Sequence, residues 1–133
     1  MANTVKQRTL VDGPTRTIRH VYIYGDGTGE ESDLKIFDAS AFTVGPQKAT
    51  ISKVSLMRLW WNINAAAAIL EWDADTDVPF FSLNPNANGF VDFRSFGGIP
   101  ENASTGATND INLTSVGLSA NDTITLTFEV KKS

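Results

Sequence analysis

The chain has 133 residues, of which 41% are hydrophobic, 20% charged and 10% aromatic, the make-up of one ordinary globular domain with room for a single core. Its formal net charge is −4 and its eleven Lys and Arg are scattered, which argues against nucleic acid or an anionic membrane as partner, since both need clustered cations. The absence of cysteine excludes disulfides, thiolate zinc sites and thiol nucleophiles together.

Residues 1–13 read as an N-terminal arm or a first edge strand: polar at first, then Thr9-Leu10-Val11, and closed by the turn Asp12-Gly13-Pro14. As an arm it predicts that a chain lacking residues 2–11 still folds. Met1 to Lys6 carry no apolar stretch of the kind that opens a secretory signal, so a cytoplasmic product is expected. From Thr17 to Tyr24, Ile18, His20, Tyr22 and Tyr24 alternate with Arg19, Val21 and Ile23, and β-branched and aromatic residues dominate, as strands prefer. Gly25-Asp26-Gly27-Thr28-Gly29 ends that strand, and Leu34 to Asp38 is expected to return beside it.

Ile51 to Ile63 is too apolar for clean alternation, and Ala65 to Ala68 adds helical propensity. Two strands joined near Asn62-Ile63-Asn64 suit the Trp60-Trp61 and Leu70-Glu71-Trp72 neighbours better than a helix does. Asp73 to Asp77 is a polar turn, and Val78 to Leu83 and Gly89 to Phe93 are short strands. Ser95 to Asn109 is a loop rich in Gly, Asn, Ser and Thr. Ile111 and Leu113 mark another short strand, joined by the Ser119-Ala120-Asn121-Asp122 turn to a strand in which Ile124, Leu126, Phe128 and Val130 alternate with polar residues. A hairpin is the expected link between these last two.

About eight short strands separated by turns define an all-β fold, a β-sandwich of jelly-roll-like build spanning 14–133. No internal repeat or low-complexity tract interrupts it. The longest apolar run, Ala65 to Leu70, is far below membrane-spanning length.

Few residues carry a chemical signature. His20 is the sole histidine and has no nucleophile motif beside it, so it reads as a packed or hydrogen-bonded strand residue. Asp73, Asp75 and Asp77 have the spacing that opens a calcium loop, but Val78 and Asn84 stand where the loop wants Gly and Glu, which leaves three weak calcium candidates in a solvated turn. The glycine-rich loop from Gly25 lacks the Lys of a phosphate cradle, and Glu30 and Glu31 would repel phosphate. Glu71 and Asp73 near Trp60, Trp61 and Trp72 have the look of a sugar site, although an outward strand carboxylate and core tryptophans explain them more simply. Asn102, Asn112 and Asn121 open glycosylation patterns that mean little without a secretory signal.

Read in order, Gly25 to Asp33, Arg58-Leu59-Trp60-Trp61, Leu70-Glu71-Trp72-Asp73 with Thr76-Asp77, Asp92 to Gly98, and Thr105 to Ile111 resemble small structural proteins of tailed bacteriophages, over roughly residues 20–130. The resemblance lies in structural landmarks and brings no catalytic motif with it. It implies a virion component with no cofactor, a capsid decoration (cement) protein in the first place and a neck or tail component in the second. It implies the major capsid protein or other virion proteins as partners, and a homo-oligomer, a trimer by analogy. The residues expected to carry such contacts are Thr4, Val5, Thr9, Leu10 and Val11 of the N-terminal segment, Asp26, Thr28, Glu30 and Glu31 of the glycine-rich loop, and Phe96 and Ile99. A carbohydrate- or receptor-binding β module is the competing reading, resting on exposed tryptophan.

Overall fold

The computed structural model describes residues 3–100 and 106–133, and among them ten strands build two antiparallel sheets packed face to face. The glycosylation pattern at Asn102 and part of the loop expected up to Asn109 lie outside the described residues.

The first sheet has the order β1 (Thr4–Asp12), β2 (Arg16–Tyr24), β10 (Thr123–Lys132), β4 (Val54–Asn64) and β7 (Asn88–Asp92), with the short β8 (Ile99–Pro100) also paired to β4. The second has the order β3 (Leu34–Phe37), β9 (Ile111–Val116), β5 (Ala67–Trp72) and β6 (Val78–Leu83). Ten strands stand where about eight are expected, and the two added are the shortest and the first: Ile99–Pro100, too short to show a period, and Thr4–Asp12, which pairs with β2 from Thr4↔Tyr24 to Asp12↔Thr17.

The inner faces meet in one core. Ile124, Leu126, Phe128 and Val130 of β10 turn inward, as their period-two spacing requires, beside Val21 and Ile23 of β2. Leu70 and Trp72 of β5 and Ile111 and Leu113 of β9 face them from the second sheet. Trp72 is 2% exposed and stacks on Phe80 with ring centroids 4.6 Å apart. Each such apolar side chain stabilises the fold by roughly 1.5–3 kcal/mol on burial.

Three expectations are corrected. β9 and β10 are no hairpin: β9 lies in the second sheet, β10 in the first, and the chain crosses between layers at the buried Leu118. Leu34–Phe37 does not return beside β2 either, but crosses to pair with β9. The joint after the apolar central segment falls at Ala65 and Ala66, one step later than expected, so β4 runs unbroken through Asn64 before the chain changes sheet. The reason is common to the first two. Alternation fixes which face of a strand is buried, not which sheet the strand joins, and both layers share one core.

The rim between the sheets near β1 is sealed by polar groups. Arg19, inward-facing on β2, donates from Nε to Ile36 O at 2.9 Å and from its terminal nitrogens to Thr9 Oγ1 and Gln7 Oε1. Burial lowers the pKa of its guanidinium below the usual arginine value. Lys132, whose side chain is fully buried, reaches Asp12 Oδ1 at 2.7 Å and lies 5.7 Å from the centre of the Phe42 ring. Arg16, at the start of β2, is exposed instead and is paired with Glu129 at 3.2 Å.

Candidate interaction surface and acidic cluster

The outer face of the first sheet follows directly from register. Phe90, Trp60, Thr127, His20 and Arg8 stand opposite one another across β7, β4, β10, β2 and β1, forming one row that crosses all five strands. The next row holds Asn88, Asn62, Thr125, Tyr22 and Lys6. Phe90 is half exposed and stacks on Trp60 at 5.1 Å, while the Arg58 guanidinium lies 5.1 Å from the Trp60 ring. His20 Nδ1 sits 2.9 Å from Thr127 Oγ1. Among the described residues this threonine is its side-chain hydrogen-bond partner. A hollow of about 170 Å³ opens between Trp60, Trp61, Asn62 and the threonines Thr125 and Thr127, and one of about 410 Å³ lies against Lys6, Arg8, His20 and Tyr22.

The three tryptophans divide by strand parity. Trp72 is core, Trp61 leans inward against Phe81, and Trp60 is the outward one. Gly89 makes room for Trp61: a β-carbon there would come within 2.8 Å of the indole ring.

The sequence-derived contact residues fall into three groups. On β1, Thr4, Thr9, Leu10 and Val11 are exposed, Leu10 at 45% and Val11 at 39%, while Val5 packs on the core. Leu10 is the extra residue of a β-bulge between Thr9 and Val11. β1 is an edge strand, and its outer row of backbone groups has no partner strand among the described residues.

The glycine-rich loop is tied inward. Glu30 accepts hydrogen bonds from the backbone N–H of Gly117 and Leu118 and from the Ser115 hydroxyl, which hold its carboxyl below the ordinary glutamate value against the opposing effect of desolvation. Glu31 O accepts from the Ser115 N–H and Glu31 N–H donates to the Ser115 hydroxyl oxygen, and Asp26 accepts from the N–H and hydroxyl of Thr28. Gly25 allows the close approach this needs, since a β-carbon would fall 2.2 Å from Ser119 O. Phe96, at 68% exposure, packs edge-on against Phe93, and Ile99 pairs with Leu56.

Of the calcium candidates, Asp75 stands apart, while Asp73 and Asp77 share the Asn112 amide. Asp75 is exposed beside Gly106. Asp73 accepts from Thr108 Oγ1 at 2.9 Å and Asn112 Nδ2 at 3.3 Å, and Asp77 accepts from Ala74 N at 3.2 Å. On the outer face of the second sheet Asp77 instead meets Asp33 and Glu71, with one oxygen of each within 4.8 Å of the others. Thr114 donates to Glu71 Oε1 at 2.7 Å and accepts from Asp33 N at 3.1 Å. A hydrogen bond shared with Asp77 raises the Asp33 pKa above the ordinary aspartate value, helped by desolvation and by the charges of Asp77 and Glu71. Burial acts to raise Asp77 too, but the Ala74 N–H, the Asp33 carboxyl and the Asn112 amide outweigh it and leave Asp77 lowered. Asp33, Asn112 and Thr114 escape a sequence reading because they are far apart along the chain.

No protein-family model matches the sequence, and neither does any curated protein. Among solved structures it is similar to an RmlC-like cupin family protein with a double-stranded β-helix fold from Methanocaldococcus jannaschii, at 14% identity and TM-score 0.34, over 98% of this chain and 82% of that one. It is similar in the same degree to a cupin superfamily protein from Desulfitobacterium hafniense, at 14% identity and TM-score 0.34, over 99% and 80% of the two chains. Among the described residues no helix is long and apolar enough to cross a membrane.

Proposed function

We propose that this protein is a structural component of a tailed-phage virion, a capsid decoration protein that binds the assembled shell and stabilises it. The phage assignment rests on the sequence resemblance. The observation that supports docking is the aromatic and basic row on the outer face of the first sheet, Phe90–Trp60–Thr127–His20–Arg8. Interface cores are enriched in aromatic side chains and arginine, which concentrate binding energy in few residues. Here two stacked rings and a guanidinium are held on strands, with Phe90 half open to solvent and Trp60 and Arg58 partly so. The adjoining β1 edge offers backbone groups to which a neighbouring chain can add a strand. Decoration multiplies one contact over many identical shell sites, so modest individual contacts suffice, and a homo-oligomer engages several at once.

Electron microscopy of the native particle tests the assignment. Density for this sandwich at repeated positions on the head, with the first sheet against the shell, is the expected result. Density confined to neck or tail would replace decoration with the neck or tail role, and absence from the particle would overturn the virion reading. A second reading, carbohydrate binding, is favoured by the hollow beside the outward Trp60 with Thr125 and Thr127 hydroxyls on its wall. It predicts quenching of tryptophan fluorescence on a glycan, lost in Trp60→Ala.

A further inference from the structure

Cations scattered along the sequence gather in space. Alternation along β1, β2, β10 and β4 puts Lys6, Arg8, Arg16, Arg58 and Lys131 on the outer face of the first sheet. Arg94 follows β7 on the same side, where it lines one hollow with Arg16, Glu129 and Lys131. Six of the chain's eleven Lys and Arg thus meet two of its fifteen acids, Glu129 and Asp92. A chain of net charge −4 therefore carries one positive face, and its remaining surface is the more acidic for it.

The two acids on this face are already engaged. Glu129 holds Arg58 and Arg16, and Asp92 holds Arg94 at 2.7 Å. Lys6, Arg8 and Lys131 are exposed, and among the described residues none of them has a carboxylate partner. Lys6 and Arg8 occupy successive outward positions of β1, opposite Tyr22 and His20 of β2. These four side chains line the hollow of about 410 Å³, and no acidic residue shares its wall. The row that runs from Arg8 and His20 ends on Trp60 and Phe90, so the cations adjoin the exposed aromatic pair.

We propose that the surface received by this face is acidic: an Asp- or Glu-rich segment of the shell protein, whose carboxylates enter the hollow between Lys6, Arg8, His20 and Tyr22 while its apolar side chains cover Trp60 and Phe90. The inference rests on the docking reading of the same face and supplies the chemistry of its partner. Complementary charge steers the encounter and fixes the register of two surfaces, more than it adds raw affinity. The aromatic pair then holds what the cations have oriented. Nucleic acid fits less well, because Glu129 and Asp92 interrupt the positive face, and a phosphate backbone needs clustered cations along its path.

The test has two arms, both on the intact protein. In the first, binding to assembled shells is measured as salt is raised from about 0.05 M to about 0.5 M, over which surface charges become screened. Binding should weaken by about tenfold or more across that range, and by a similar factor at low salt in Lys6→Glu/Arg8→Glu. Lys131→Glu, an exposed change on β10, should act in the same direction and decides the matter if the β1 variant does not fold. Lys48→Glu, exposed beside Asp12 and Pro46 and off this face, should leave binding unchanged. In the second arm a hexaglutamate peptide is titrated into the protein alone, and amide shifts in nuclear magnetic resonance are expected at Lys6, Arg8, His20 and Tyr22 but not in the reversed variant. Shell binding indifferent to salt and to both reversals would overturn the acidic partner and leave docking standing. Peptide binding without affinity for shells at any salt would instead overturn the shell as partner. An oligonucleotide that shifts these amides where hexaglutamate does not would give the face to nucleic acid. Self-association abolished by Lys6→Glu/Arg8→Glu would give it to a second copy, and either result would overturn the proposal.

Discussion

Arg58 grips Glu129 across the β4–β10 ladder with both arms of its guanidinium, Nε and Nη2 each 2.9 Å from a carboxylate oxygen. The Glu129 side chain is 3% exposed, and Arg16 adds a third contact at 3.2 Å. Replacing Glu129 with Ala strands two guanidinium groups. The loss should be about 2–3 kcal/mol, below the full range for a buried pair, because Arg58 and Arg16 keep part of their water. Denaturant unfolding reads it. The double change Arg58→Met with Glu129→Leu should recover most of the loss, since apolar replacement of both partners leaves no buried charge.

The tryptophans should part company under substitution. Trp72→Ala empties the core and should cost about 3–5 kcal/mol or abolish folding. Trp60→Ala removes an outward ring whose stack on Phe90 is worth roughly 0.5–1.5 kcal/mol, so the domain stays folded. Circular dichroism melts of the two variants distinguish these outcomes. Equal losses would mean that Trp60 is core as well.

Truncation through Asp12 should be destabilising rather than silent. It removes the partner of Lys132, whose side chain is fully buried, and strips β2 of its neighbour. Asp12→Ala alone isolates that ammonium and should cost about 1–3 kcal/mol. A cooperative melt with unchanged midpoint in the truncated chain would show instead that β1 is a dispensable arm.

The acidic cluster of Asp33, Glu71 and Asp77 gives stability a definite pH dependence. The Asp33 pKa is raised in the folded chain, so its contribution is fully present below the ordinary aspartate value of 3.8 and is lost as pH rises through its folded pKa. Asp77 and Asp92 are lowered, Asp92 to about 2 by its hydrogen bonds from Arg94, so theirs is present above 3.8 and is lost as pH falls through their folded values. Asp33→Asn should therefore stabilise the protein above that window, by ~0.5 kcal/mol as suits exposed charges, and lose the gain in acid. Melting midpoints across pH check the sign.

The face of each strand was more legible than its neighbour. The alternation of Ile124, Leu126, Phe128 and Val130 appears unaltered in the core. The mixed pattern of β4 has a local cause: Glu129 and Val130 oppose Arg58 and Leu56, so Met57 is a bulged residue, and the phase of burial shifts there from Leu56 to Leu59. A period-two reading across that bulge sees both faces apolar. Which strands share a sheet was not legible, because Leu113 and Ile124 carry the same pattern while lying in opposite layers. The same limit hid the cluster of Asp33, Glu71 and Asp77. The aspartate run from Asp73 to Asp77 drew attention to the turn, yet the residues that join Asp77 come from a loop and a strand placed by the sheet order.

The central claim is that the outer face of the first sheet docks on a phage shell. Co-sedimentation of the purified protein with assembled shells, beside a Trp60→Ala/Phe90→Ala variant shown to be folded, measures it most directly. The account predicts saturable binding to shells, none to free shell subunits, and a loss of about 2 kcal/mol or more in the variant, the size of an interface hot spot. Absence of binding to shells, or equal binding by the variant, would contradict it.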